Sequence, residues 1–217
     1  MQAKTVKISI IAIVAILAFA AGIWIGFGGQ NQPVVPIVQD TVITVLPKAK
    51  PLKPFQLQTG NGKKFDLSSL EGKYSLLFFG YTSCPDVCPT TMYQLEKLYS
   101  ILEKDGQQKN YQVVFVSVDP RRDTPDRLEK YVTAFNAKFI GATGQKEQIS
   151  NLARQLGASY EVEDNGKSKN YGVSHTDIIF VVDPDARFAA ILTPPHQASR
   201  IDSRLALLRQ VEQQKGQ

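Results

Sequence analysis

Tyr74-Ser75-Leu76-Leu77-Phe78-Phe79 and Val113-Val114-Phe115-Val116-Ser117-Val118 are short apolar runs without the polar alternation of a half-solvated strand. Continuous runs of this kind mark strands buried on both faces, as in a sheet covered by helices. Between them Met92, Leu95, Leu98, Tyr99 and Leu102 recur at helical spacing, so the connection reads as a helix from about Pro89 to Lys104. Thr124 followed by Pro125 is a cap and first-turn signal, and Leu128, Tyr131, Val132 and Phe135 supply the buried face of the helix it opens. Ile149, Leu152, Ala153 and Leu156 mark a further short helix stopped by Gly157. Ile178–Val182 and Arg187–Ile191 flank Asp183-Pro184-Asp185-Ala186 and read as a hairpin, and Ile201, Leu205 and Leu208 suggest a closing helix. The order is strand, helix, strand, helix, then hairpin and helix, which is an α/β fold with a central sheet.

Outward from this region the character of the chain changes. Ile8 to Phe27 is a 20-residue run with no charged side chain. As a helix it would span roughly 30 Å, about the hydrocarbon thickness of a bilayer. Ala18-Phe19-Ala20 has the form of a signal-peptide cleavage site, but the apolar run continues past it through Ile23, Trp24, Ile25 and Phe27, so an uncleaved anchor is the better reading. Residues 1–7 carry Lys4 and Lys7, whereas residues 28–47 contain no Lys or Arg. The positive-inside bias then keeps residues 1–7 in the cytoplasm and exports everything after Phe27. The expected location is the bacterial inner membrane, crossed once, with the C-terminal domain in the periplasm. Residues 28–50, with Pro33, Pro36 and Pro47, read as a tether, and residues 51–217 as the globular domain. The net charge of +5 is dispersed, with no basic stripe, so nucleic acid is not an expected partner.

Cys84 and Cys88 are the only cysteines and lie just beyond the first apolar strand. Such a pair in an exported domain can be a structural disulfide, a redox pair or a metal site. A bridge closing so short a loop removes little unfolded-state entropy, which weakens the first reading. Pro85 and Pro89 bias the cysteines towards extended backbone, so the helix starts at Pro85 with a distortion or at Pro89 with Cys88 as its cap. Either way both sulfurs sit at a helix N-terminus, where unpaired amides favour thiolate. Thiolate attacks disulfides and binds soft metals, so both chemistries stay open.

His175 and His196 are the only imidazole donors. His196, in Thr193-Pro194-Pro195-His196, reads as an exposed loop residue on the far side of the hairpin. His175 precedes the strand Ile178–Val182, and in a thioredoxin-like sheet the loop entering that strand passes close to the cysteine helix. Two thiolates and one imidazole form a soft, low-coordination set that suits Cu(I) better than structural zinc, which takes four ligands; zinc with an open position stays an alternative, though no nearby Glu stands out as its general base.

Phe79-Gly80-Tyr81-Thr82-Ser83-Cys84-Pro85-Asp86-Val87-Cys88-Pro89-Thr90-Thr91 resembles the signature of the Sco/SenC proteins. Val116-Ser117-Val118-Asp119-Pro120-Arg121-Arg122-Asp123-Thr124-Pro125 matches further downstream, and Tyr171…His175 with Asp183-Pro184-Asp185 completes the pattern. The resemblance covers about residues 51–192. It implies a thioredoxin-like central sheet flanked by helices behind an N-terminal transmembrane helix, with Cys84, Cys88 and His175 as ligands of copper, as Cu(I) with Cu(II) as a further state. It implies a metallochaperone for the binuclear copper centre of cytochrome c oxidase subunit II or a related copper protein, with periplasmic thiols or copper donors as further partners. The alternative is a thiol:disulfide oxidoreductase in which Cys84 and Cys88 act as a catalytic redox pair. Asp119 and Arg122 read as a turn held by local hydrogen bonds and an ion pair. Thr193–His196 and the polar tail fall outside the family pattern.

Overall fold

The computed structural model describes residues 42–163 and 171–215. The expected anchor at residues 8–27 and most of the tether lie outside them. Among the described residues no helix is long and apolar enough to cross a membrane.

The described residues form ten strands: β1 (Ile43–Pro51), β2 (Gln56–Thr59), β3 (Lys64–Asp66), β4 (Tyr74–Gly80), β5 (Tyr111–Ser117), β6 (Ile140–Thr143), β7 (Tyr160–Val162), β8 (Val173–His175), β9 (Ile179–Val182) and β10 (Arg187–Leu192). The α-helices are α1 (Val87–Lys104), α2 (Pro125–Thr133), α3 (Lys146–Leu156) and α4 (Ala198–Lys215). Eight strands form one mixed sheet in the order β1-β10-β9-β4-β5-β6-β2-β3, and β7 and β8 form a separate antiparallel pair. β4 runs parallel to β5 and antiparallel to β9, so β4–α1–β5 and the β9–β10 hairpin with α4 make the thioredoxin-like centre of the sheet.

The two runs that decide the fold occupy its middle. Every residue of β4 is buried, because alternate side chains enter two different cores. Leu76 and Phe78 join α1, α2 and α4 on one face. Leu77 and Phe79 join α3 and the turn containing Leu70 on the other. Burying each such side chain contributes about 1.5–3 kcal/mol, so a strand apolar on both sides requires helices on both sides.

The helices largely follow their sequence signals. Thr124 caps α2, its hydroxyl accepting from Arg127 N at 3.4 Å, with Pro125 in the first turn. That helix stops at Thr133, two residues earlier than a buried face reaching Phe135 implied, although Phe135 still packs against the core. Gly157 ends α3 in the left-handed conformation, φ 76°, which costs a glycine little.

The tether expectation needs adjustment at its end. Residues assigned to it from sequence, up to Lys50, begin β1, which pairs with β10 through Ile43↔Leu192, Thr44↔Ile191 and Val45↔Ala190. Pro47 interrupted the strand pattern in the sequence. In the structure it lies where the register shifts between Val45 and Lys50, on an edge strand that tolerates a missing donor.

Candidate metal centre

The strand β4 ends at Gly80, and the chain turns through Tyr81-Thr82-Ser83 before entering α1. That turn is held from below by Asp123, a fully buried carboxylate. It accepts from Thr82 N at 2.8 Å, Thr82 Oγ1 at 2.6 Å and Ser117 Oγ at 2.6 Å. Arg127 adds a second clamp, donating to Thr82 Oγ1 at 2.8 Å and Ser83 Oγ at 2.9 Å. Arg127 did not stand out in the sequence, and Asp123, quoted there only within the matched Val116–Pro125 segment, was given no role, because their partners in the cysteine loop lie about forty residues away.

The helix begins at Val87, between the two starts that the prolines allowed. Cys88 therefore lies in its first turn, and Pro89 is accommodated where no intrahelical donor is needed. Asp86 occupies the cap position without a side-chain cap hydrogen bond. Instead Cys88 N donates to Cys84 Sγ at 3.4 Å, so a sulfur satisfies one of the free amides at the helix end.

The cysteines differ in environment. Cys84 is half-buried and Cys88 fully buried, and each is a free thiol here. For Cys88 burial outweighs the helix end: it pushes the thiol pKa far above its ordinary value, opposed in part by a backbone hydrogen bond from Tyr81. The expectation of thiolate at both sulfurs is thus corrected for Cys88, which is a thiol until something displaces its proton. Gly80 lets it sit there, since a Cβ at that position would come 2.7 Å from Cys88 Sγ and 2.8 Å from the Phe115 ring.

His175 is the last residue of β8, whose pairing with β7 (Tyr160↔His175) carries it across the mouth of the sheet. Its Nε2 lies 3.2 Å from Cys88 Sγ. The other ring nitrogen, Nδ1, is 3.3 Å from Thr176 O. A carbonyl can only accept, so Nδ1 carries the proton and Nε2 turns a bare lone pair towards the thiol. Burial lowers the pKa of His175, which keeps the ring neutral. Phe78 and Tyr81 meet the ring edge-on, with centroids at 5.7 and 6.0 Å.

Asp119 and Arg122 form the expected ion-paired turn, with Arg122 N donating to Asp119 O at 3.2 Å. They also do more than close a turn. Tyr171 OH donates to Asp119 Oδ1 at 2.5 Å, the Arg122 guanidinium lies 3.8 Å from the Tyr171 ring centroid, and Arg122 Nη1 donates to Tyr171 O at 3.3 Å. The turn thereby grips the chain just ahead of the strand that ends in His175.

Cys84, Cys88 and His175 converge so that their donor atoms all lie within 4.8 Å of one another. An ion bound about 2.0–2.3 Å from each nitrogen or sulfur would draw such donors only slightly closer together. Among the described residues the group holds two sulfurs and one nitrogen, without a fourth protein ligand. That donor set fits a soft ion of low coordination number and lacks the closed tetrahedron of structural zinc. The other histidine departs from its expected exposure. His196 is buried, and its Nε2 lies 3.0 Å from Asp177 Oδ1, because the loop carrying it folds back against α1.

A family model described as SCO1/SenC matches residues 44–209. A SCO2-like protein of Rickettsia felis is 31% identical over 192 residues, covering 87% of this chain and 89% of that one. Among solved structures, apo Sco1 from Thermus thermophilus superposes with a TM-score of 0.68 at 36% identity, covering 76% of this chain and 95% of that chain. Copper-bound ScoI of Bradyrhizobium japonicum gives a TM-score of 0.64 at 32% identity, covering 72% and 98%.

Proposed function

The chain belongs to the SCO1/SenC family, and from that premise we propose that it binds one Cu(I) through Cys84, Cys88 and His175 and passes it to thiolates of a copper protein. The recipient in this reading is the binuclear copper centre of cytochrome c oxidase subunit II. The observation that carries it is the pairing of a neutral imidazole, lone pair inward, with a cysteine 3.2 Å away and a second sulfur beside both. Copper is cargo here, and entry requires that it displace the Cys88 proton now facing His175. The half-buried Cys84 is the ligand a recipient thiolate reaches first, so the ion can change hands one bond at a time. In the full chain, His175→Ala should lower Cu(I) affinity by more than tenfold in chelator competition and remove the nitrogen neighbour from the X-ray absorption signature. Unchanged affinity and signature would refute the three-ligand site.

One observation favours a second reading. A half-buried Cys84 over a buried Cys88 resembles the attacking and resolving thiols of a disulfide reductant. Cys84 thiolate would attack a partner disulfide, and Cys88 would then attack Cys84 Sγ and release the partner, passing it two electrons and the Cys88 proton, with the proton Cys84 lost on ionising taken back from solvent, and closing Cys84–Cys88. Incubating copper-loaded and reduced apo chain separately with an oxidised or reduced copper-receiving domain separates the two. Copper transfer without disulfide exchange supports the donor, and electron transfer without copper supports the reductant. Residues 8–27 would tether either activity to the periplasmic face of the inner membrane, on the strength of their hydropathy and the lysines ahead of them.

A further inference from the structure

His196 and Asp177 have no part in the ligand set, yet they join the two segments that supply it. Asp177 lies two residues beyond His175, and Thr91 three residues beyond Cys88 on the buried side of α1. Asp177 Oδ1 accepts from Thr91 Oγ1 at 3.2 Å and faces His196 Nε2 at 3.0 Å. A single carboxylate oxygen therefore ties the cysteine helix, the histidine segment and the loop before α4. The same loop is held to α1 a second time by Ala198 N, which donates to Gln94 Oε1 at 3.2 Å.

Which nitrogen of His196 donates follows from its surroundings. Its side chain is 3% exposed, and among the described residues its Nδ1 is buried without a hydrogen-bond partner. A proton on Nδ1 would be a buried donor with nothing to accept it, which is costly. The ring proton therefore sits on Nε2 and is given to Asp177. A donor fixed by burial in turn fixes the direction of the carboxylate, and Thr91 defines its other constraint.

We propose that His196 is a positioning residue for the metal centre: through Asp177 it sets the separation between His175 and Cys88. The inference rests on the three-ligand reading above. Without the buried donor, Asp177 can swing towards solvent, where it is already partly exposed, and the His175 segment loses the tie to α1 that runs through Thr91. The tie does not touch the ion. Outer partners that orient ligands are typically worth about 10–100-fold in metal affinity.

The test uses the full chain, reduced, with Cu(I) supplied against a competing chelator. His196→Leu should lower Cu(I) affinity about tenfold. His196→Gln, whose amide can donate from nearly the Nε2 position, should recover most of that loss, and Thr91→Val, nearly isosteric, should reduce affinity by a smaller factor. In the metal-free proteins, imidazole nitrogen–proton NMR correlations of His175 should shift or broaden in His196→Leu and return towards the parent pattern in His196→Gln. A lowered melting temperature with parental His175 signals and affinity would overturn the proposal, leaving His196 a packing residue. If His196→Leu does not fold, Thr91→Val and His196→Gln decide by the same two readouts. The parent chain separates the two ideas: failure to bind Cu(I) there refutes the three-ligand reading, while the metal-free His175 signals still test the tie.

Discussion

Gly80 shows how tightly the cysteine pair is built into the strand end. The position needs close approach, since its missing side chain is the space that Cys88 Sγ and the Phe115 ring occupy. Neither neighbour is a flexible chain end: one sulfur hangs from the first turn of α1, and the ring is fully buried. Gly80→Ala should therefore destabilise the fold by about 1–3 kcal/mol through overpacking. It should also weaken Cu(I) binding severalfold, because the displaced sulfur is a proposed ligand. Thermal denaturation of the apo chain and chelator competition measure the two effects separately, and a parental result in both would show that the site yields more easily than its packing implies.

Among the elements, β1 is the one whose importance was hidden. It forms the edge of the eight-stranded sheet and covers β10, and Ile43 at its start is buried with Ala190, Leu192 and the residues of α4. A fragment beginning at Lys48 would discard Ile43, Thr44 and Val45, with their pairs on β10. Relative to a fragment beginning at Gln39, it should lose about 3–6 kcal/mol, the value of two buried aliphatic side chains, Val42 and Ile43. Denaturant titration of the two fragments checks this, and equal midpoints would mean that β1 is dispensable. The cysteine loop, by contrast, is anchored from two other elements. Asp123, ahead of α2, and Arg127, within it, hold Thr82 and Ser83, so the chain entering α1 is fixed before the helix begins.

At the scale of the whole molecule the proposal is a tethered domain that works at a membrane surface. The proposed ligands come from the turn after β4, the first turn of α1 and the end of β8. In intact spheroplasts, added protease should digest the domain carrying Cys84 and Cys88 while a tag ahead of Lys4 stays protected. The reverse pattern would overturn the orientation inferred from the lysines. Carbonate washing should leave the chain in the membrane pellet, and its release would reject residues 8–27 as an anchor.

Much of this protein is local, and local features were legible in the sequence. The apolar continuity of β4 and β5, the spacing of Met92, Leu95 and Leu98, and the Thr124-Pro125 start each depend on neighbours a few residues away. The softness of the donor set depends only on which residues are present. Other features depend on contacts between distant segments. His175 became a candidate from sequence only by assuming how the sheet was arranged, because 87 residues separate it from Cys88. Gly80 and Asp123 sat inside the quoted motifs without a legible role, because the side chains they make room for or hold come from other elements, and His196 was expected in solvent. The strength of a buried group, whether a thiol raised in pKa or an imidazole held to a carboxylate, comes from water being excluded around it. Only the closed tertiary structure decides where that happens. The residue types and their periodicity determined a covered α/β sheet with a cysteine pair at its edge. The folded chain decided that Cys88 is a buried thiol, that His175 faces it with a bare nitrogen, and that His196 stands behind them.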